Sequence, residues 1–139
     1  MSTTPNPLAR GAHTALRVVS GLMFFFPGAL KILGWFGGMP AGVVLTPLVR
    51  TAGWMEMIGG PLILLGCFTT PVAFLCSGEM AVAYFHSHQP HGFWPIQNHG
   101  EQAVLYCFIF LYLSAAGGGP LSIDEWLARR KARGAPQPD

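Results

Sequence analysis

The sequence predicts an all-α membrane protein: a four-transmembrane-helix bundle with both termini cytoplasmic and a short C-terminal amphipathic helix. Three observations support this class. The 139-residue chain is 51% hydrophobic and only 10% charged, whereas soluble domains carry roughly a quarter charged residues. The charges collect near the two ends and leave long neutral stretches between them. Four apolar segments are separated by connections rich in glycine, proline or polar residues.

The predicted spans cover about residues 13–33, 51–68, 72–88 and 101–116. The first is expected to act as its own insertion signal, because no small-x-small cleavage site follows it. The apolar parts of the third and fourth spans are short for a bilayer, so their polar flanks are expected to continue the helices. The alternative is a soluble four-helix bundle. It is disfavoured because none of the segments has the broad charged face that such helices need.

The chain is expected to form one domain, residues 13–127, between two tails. Residues 1–12 are predicted to be a flexible tail, and residues 128–139 a basic tail containing proline. Within the domain, Ser122 is the expected N-cap of the C-terminal amphipathic helix, and Glu125 stands at the capping-box position.

Basic residues set the predicted orientation. Arg10 and Arg17 lie near the N-terminal end and four more cations near the C-terminal end, whereas the turn at 69–71 has none. By the positive-inside rule both termini are cytoplasmic, and an even number of spans agrees with that. The predicted location is the bacterial cytoplasmic (inner) membrane, with the lipid bilayer as a partner. The Gly/Pro-rich loop 34–50 and the His-rich loop 86–100 then share the outer face.

Three glutamates, Glu56, Glu79 and Glu101, lie inside or at the edge of these predicted spans. A carboxylate in hydrocarbon costs at least ~2.5–3.5 kcal/mol on insertion scales, so it normally faces a bundle interior and has a partner. Lys31 is either a structural partner for one of them or a side chain that snorkels to the interface. Glu101 has a simpler interpretation, because the helix dipole favours an acidic residue in the first turn. The positions of Glu56 and Glu79 indicate either an ion pair that fixes helix packing or a functional polar pocket.

The predicted topology brings further polar side chains to the outer half of the bundle. His86 follows Glu79 by about two helical turns on the same face. The loop before the fourth span supplies amides and another histidine. We therefore predict a ligand-binding or proton-handling site there, without assigning a catalytic residue. Its candidates are Lys31, Glu56, Glu79, His86, Gln97, Asn98, His99 and Glu101.

The His-rich loop offers a second kind of site. Imidazole suits zinc, copper and nickel, and the candidate ligands would be His86, His88, His91 and His99. The spacing matches no defined zinc pattern, and the loop contains no cysteine. A solvated loop is therefore the favoured interpretation and a metal cofactor is not expected.

Three segments resemble the motifs of DoxX-like membrane proteins. They are GLMFFFPGALK at residues 21–31, EMIGG at 56–60, and the segment 79–101 that ends in GFWPIQNHGE. The resemblance covers about residues 15–125, and Pro27 stands near a place where the family commonly has a histidine. It implies a four-helix inner-membrane protein. Some members look like subunits of thiosulfate:quinone oxidoreductase, and others are associated with membrane thiol and superoxide defence complexes.

Two functional hypotheses remain open at this point. The leading one is a membrane-embedded, redox-associated subunit that binds a quinone or similar lipophilic ligand at the polar cluster, beside a redox partner protein. It would be at most a subunit of a membrane oxidoreductase complex. The alternative is a non-catalytic scaffold or small solute or proton transporter with a structural polar network. Nucleic acid is not an expected partner, because the net charge is only +2 and no basic, aromatic-interleaved patch is present.

Overall fold

The computed structural model describes residues 6–134, which form six α-helices and no β-strand. The all-α prediction is confirmed for these residues. Short 3₁₀ turns follow α1, at Trp35–Gly37, and precede α4, at Gln89–His91, and a π-helical turn, Tyr84–His88, continues α3. The α-helices are α1 Pro7–Leu33, α2 Pro47–Leu65, α3 Thr69–Ala83, α4 Pro95–Asn98, α5 Glu101–Ala116 and α6 Ile123–Arg133.

Helix α1 begins at Pro7, inside the segment predicted to be a flexible tail. The Asn6 side chain accepts a hydrogen bond from the Leu8 amide at 2.9 Å, and proline suits the first helical position because it lacks an amide hydrogen. The helix ends at Gly34, whose φ of 70° is a left-handed conformation that glycine adopts without strain. These caps extend the helix beyond its apolar part.

The predicted second, third and fourth spans correspond to α2, α3 and α5, and the differences lie mainly at the helix ends. Helix α2 begins at Pro47 because Thr46 caps it, and α5 occupies the predicted residues 101–116. The predicted third span, 72–88, loses its α-helical hydrogen bonding after Ala83 and continues as the π-helical turn. Residues 135–139 of the predicted basic tail lie outside the described residues, and α6 occupies the part up to Arg133.

Glycines set the close approach of α1 to α2. A Cβ atom on Gly28 would meet the Met57 amide nitrogen and would lie 2.7 Å from the Gly53 carbonyl oxygen. A Cβ on Gly21 would lie 2.7 Å from the Gly60 carbonyl oxygen. Small residues permit such backbone contact between helices, so the two helices are locked at one rotation and one separation.

The core lies between α3 and α5 and is closed by Phe24 from α1. The Phe24 ring packs edge-on against Phe110, with ring centroids 4.6 Å apart. The other buried apolar residues of this core are Ile63, Ala73, Cys76, Met80, Ala103 and Leu113. This core therefore contains side chains from α1, α2, α3 and α5.

Helices α1 and α2 are long and apolar enough to cross a membrane, judged by length and composition, and α5 is a shorter apolar helix. Much of their apolar surface faces outward: Val19, Ile58 and Leu105 are each more than half exposed. Large contiguous exposed apolar surface is unusual for a soluble monomer. The two helices and this surface are typical of a membrane protein.

Arg17 occupies a different environment from the flanking position that the sequence suggests. Its side chain is only 1% exposed. The guanidinium donates hydrogen bonds to the carbonyl oxygens of Ile63 and Leu64 at the end of α2, and to that of Leu121. Arg17 therefore adds hydrogen bonds to carbonyl groups in the last turn of α2, and it ties α1 to the segment before α6.

Candidate functional site

Lys31 and Glu56 form an ion pair between the last turn of α1 and the middle of α2. The Lys31 Nζ atom lies 2.6 Å from both carboxylate oxygens of Glu56. The lysine side chain is 20% exposed and that of glutamate only 4%. The contacts of Gly28 and Gly53 hold the two helices close at this level. The pair therefore compensates two charges that would be costly to bury separately.

Glu79 lies on α3 and faces the same cavity as Lys31 and Glu56. Unlike Glu56, it is not hydrogen-bonded to Lys31. Both of its carboxyl oxygens are buried, and neither has a hydrogen-bond partner within residues 6–134. Lys31 already contacts both oxygens of Glu56. Buried polar side-chain atoms usually have a partner, and each exception calls for an explanation.

A cavity of about 640 Å³ joins these three side chains. Helices α1, α2, α3 and α5 contribute to its wall, together with the π-helical turn and the loop before α2. Apolar side chains form most of this wall, including Phe24, Met39 and Met80. The volume is within the roughly 300–1,000 Å³ of small-molecule sites, which are mostly apolar with a few placed polar groups.

The π-helical turn brings His86, Ser87 and His88 to the cavity. Such turns within helices are rare and frequently lie at functional sites. His88 is fixed there, because its Nδ1 atom lies 3.1 Å from the Asn98 carbonyl oxygen. His86 is exposed, and its side chain reaches the cavity from the rim.

Gln97, Asn98, His99 and Glu101 do not line the cavity. Asn98 is buried and holds the loop together: its amide group donates to the Gly92 carbonyl oxygen at 2.7 Å, and its side-chain oxygen accepts from the Gly100 amide. The other three are exposed. The structure thus brings together four of the eight sequence-predicted candidates, Lys31, Glu56, Glu79 and His86.

Two cavity residues on α5, Gln102 and Tyr106, were missed by the sequence reasoning. A signal was available, because they are polar residues four positions apart on a mostly apolar helix and therefore share a face. Pro27 also lines the cavity.

The histidines of the loop are not arranged as a metal centre. Among the residues that the structure describes, no group of three or more His, Cys, Asp or Glu side chains is placed to hold a metal ion. His91 contacts the Ser87 carbonyl oxygen at 3.1 Å, and His99 ends α4 on the exposed surface.

Comparison with known proteins finds one family whose model matches this chain. The DoxX family model matches residues 12–89, a segment that contains Lys31, Glu56, Glu79 and His86. A protein of Haemophilus influenzae, described as "Uncharacterized protein", is 40% identical over 115 residues, which are 79% of this chain and 86% of that protein. No solved structure matches the chain.

Proposed function

This chain belongs to the DoxX family, and on that premise we propose that it is an integral membrane protein that binds a lipophilic ligand with a polar head in the cavity beside Lys31, Glu56 and Glu79. The ligand of this proposal is a quinone or a molecule of similar shape. The protein then acts as a subunit of a membrane redox assembly, and a partner protein exchanges electrons with the bound ring.

The observation that carries the proposal is Glu79. Its two carboxyl oxygens are buried at the cavity without a partner in the described part of the chain. An unmet hydrogen bond at a buried polar group costs about 1–3 kcal/mol. A ligand oxygen or hydroxyl group would supply the missing hydrogen bond.

The other residues of the cavity wall also suit a lipophilic ligand with a polar head. Phe24, Pro27 and Met80 offer apolar surface for a ring or chain, and Tyr106, His86 and His88 offer hydrogen-bonding groups at its edge. Glu79 is positioned to exchange a proton with a quinone oxygen when the partner protein reduces or oxidises the ring. The bidentate Lys31–Glu56 pair keeps this neighbourhood polar without occupying Glu79.

A titration of the full-length protein in nanodiscs tests the proposal. Short-chain ubiquinone and menaquinone are added, and quenching of tryptophan fluorescence is measured for the wild type and for Glu79→Leu. We expect binding by the wild type and a loss of roughly twofold to tenfold in the variant, because a hydrogen bond from a protonated carboxyl to a quinone carbonyl contributes about 0.5–1.5 kcal/mol.

The matched control is Glu101→Gln, which neutralises an exposed carboxylate outside the cavity and should leave binding unchanged. Equal affinity of the wild type and Glu79→Leu would contradict the proposal.

The Lys31–Glu56 pair favours a second candidate, a non-catalytic scaffold or small solute or proton transporter with a structural polar network. In that case neither quinone binds. Glu79→Leu is then expected to raise the thermal stability, because it replaces a buried carboxyl that has no hydrogen-bond partner within residues 6–134 with an apolar group.

A further inference from the structure

Helix α6 presents cationic and apolar side chains on one exposed face. Trp126 is 57% exposed and Leu127 49%. Arg130 and Arg133 follow Trp126 at four and seven positions, so they share its face of the helix. The Arg130 guanidinium lies 5.4 Å from the centre of a Trp126 ring, a cation–π contact that keeps charge and aromatic surface together.

This helix is fastened to one end of the bundle. The Asp124 carboxylate accepts hydrogen bonds from the Phe68 and Thr69 amides, both at 2.8 Å, and the Asp124 amide donates to the Gly66 carbonyl oxygen. Arg17 donates to the Leu121 carbonyl oxygen just before the helix. The start of α6 is thereby held at the turn between α2 and α3, where the apolar helices end.

The positive charge of α6 is largely uncompensated within residues 6–134. Arg129 pairs with Glu125 at 2.7 Å, and this hydrogen bond lowers the pKa of the Glu125 carboxyl, so the pair stays charged at neutral pH. The described ion pairs include none with Arg130, Lys131 or Arg133.

Exposed apolar side chains continue this surface toward the bundle. Leu121, just before α6, is 86% exposed, and Phe68, in the turn that Asp124 caps, is 67% exposed. Tryptophan beside arginine at the end of apolar helices is typical of the membrane interface, and basic helices with an apolar face bind anionic membrane surfaces.

We propose that α6 lies in the membrane interface and binds anionic phospholipid headgroups, with Arg130, Lys131 and Arg133 on the phosphates and Trp126 at the acyl boundary. The lipid surface is the partner with both required properties, negative charge and adjacent apolar chains, at the level where the apolar helices end. This inference rests on the membrane placement of the family and is independent of what the cavity binds.

The test uses the full-length protein purified in detergent. Phosphatidylglycerol or phosphatidylcholine is titrated in, and retained lipids are counted by native mass spectrometry. The wild type is expected to prefer phosphatidylglycerol. The triple variant R130Q/K131Q/R133Q should lose that preference by roughly tenfold or more, since each basic residue near an anionic surface contributes about 1 kcal/mol. Trp126→Ala should weaken retention of both lipids.

Arg50→Gln is the control, because Arg50 lies near the start of α2, at the other end of that helix from α6. It should leave the preference unchanged, and the wild-type preference should fall as salt rises. An unchanged preference in the triple variant would overturn the proposal, as would an equal loss in Arg50→Gln. Full competition by inorganic phosphate would instead indicate a small anion site, and capture of polyglutamate without lipid an acidic protein partner. Either result would also overturn it.

Discussion

Glu56 is buried and Glu79 has buried carboxyl oxygens, but the two glutamates have different surroundings. Glu56 receives Lys31 on both of its oxygens, whereas Glu79 has no hydrogen-bond partner among the described residues. The first is expected to contribute to structure and the second to be available for a ligand. Because they line one cavity, the ion pair shapes the electrostatic field in which any ligand of Glu79 is held.

Lys31→Met tests the structural role of the ion pair. It leaves the Glu56 carboxylate buried and unpaired, and breaking such a pair typically costs about 3–5 kcal/mol. Resistance to unfolding by SDS in mixed micelles should fall accordingly. The double variant Lys31→Met/Glu56→Leu should recover most of the loss, because no charge remains buried.

Arg129→Ala is the control for this measurement. It removes one partner of an exposed ion pair on α6, and exposed pairs contribute little to stability. It should therefore unfold like the wild type. If Lys31→Met did the same, the pair would have no structural role.

At the scale of the helices, packing depends on positions where a side chain has no room. Gly28 and Gly53 bring α1 and α2 into backbone contact at the level of the ion pair, and Gly21 and Gly60 do so deeper in the bundle. The glycines therefore determine the rotation at which Lys31 meets Glu56.

Gly28→Ala tests this packing. The added methyl group would overlap the Met57 amide nitrogen and crowd the Gly53 carbonyl oxygen, and such overpacking typically costs about 1–3 kcal/mol. The variant should unfold at lower SDS fraction than the wild type. Gly78→Ala is the matched control, because its added Cβ would meet no heavy atom of the described residues within 4 Å beyond its chain neighbours and the backbone of its own helix. Equal behaviour of the two variants would exclude backbone contact between α1 and α2.

At the scale of the whole molecule, the polar cluster and α6 lie toward opposite ends of α3. Lys31 and the π-helical turn belong to the end where α1 and α3 finish, and Asp124 caps the end where α3 begins. If both proposals hold, the cavity opens near one membrane surface and α6 lies at the other. The basic residues near both chain ends then favour cytoplasmic placement of α6.

Reporter fusions test that orientation. Alkaline phosphatase, which is active only outside the cytoplasm, is fused after residue 42, in the loop before α2, and after residue 139. We expect activity from the first fusion and none from the second, because the positive-inside rule places both chain ends inside. A green fluorescent protein fusion after residue 139 should fluoresce. The reverse pattern would invert the predicted topology.

The all-α class and the approximate positions of α1, α2, α3, α5 and α6 could be predicted from the sequence, whereas the short helix α4 lies in the segment 86–100 that was predicted to be a loop. The prolines that open α1 and α2 lie outside the predicted spans, so these two helix starts were missed. The apolar runs and the Ser122 cap, which accepts a hydrogen bond from the Glu125 amide at 3.1 Å, act through burial and local hydrogen bonding. Such signals are readable along the chain. The presence of Lys31, Glu56 and Glu79 in apolar segments likewise indicated where polar chemistry would concentrate.

Which of these groups meet depends on how the helices pack in three dimensions. Backbone contact between glycines sets the helix rotation, so it pairs Lys31 with Glu56 and leaves Glu79 facing the cavity. The loop that Asn98 holds together turns Gln97 and His99 away from that cavity. These outcomes depend on contacts between residues far apart in the chain, which local sequence patterns do not contain.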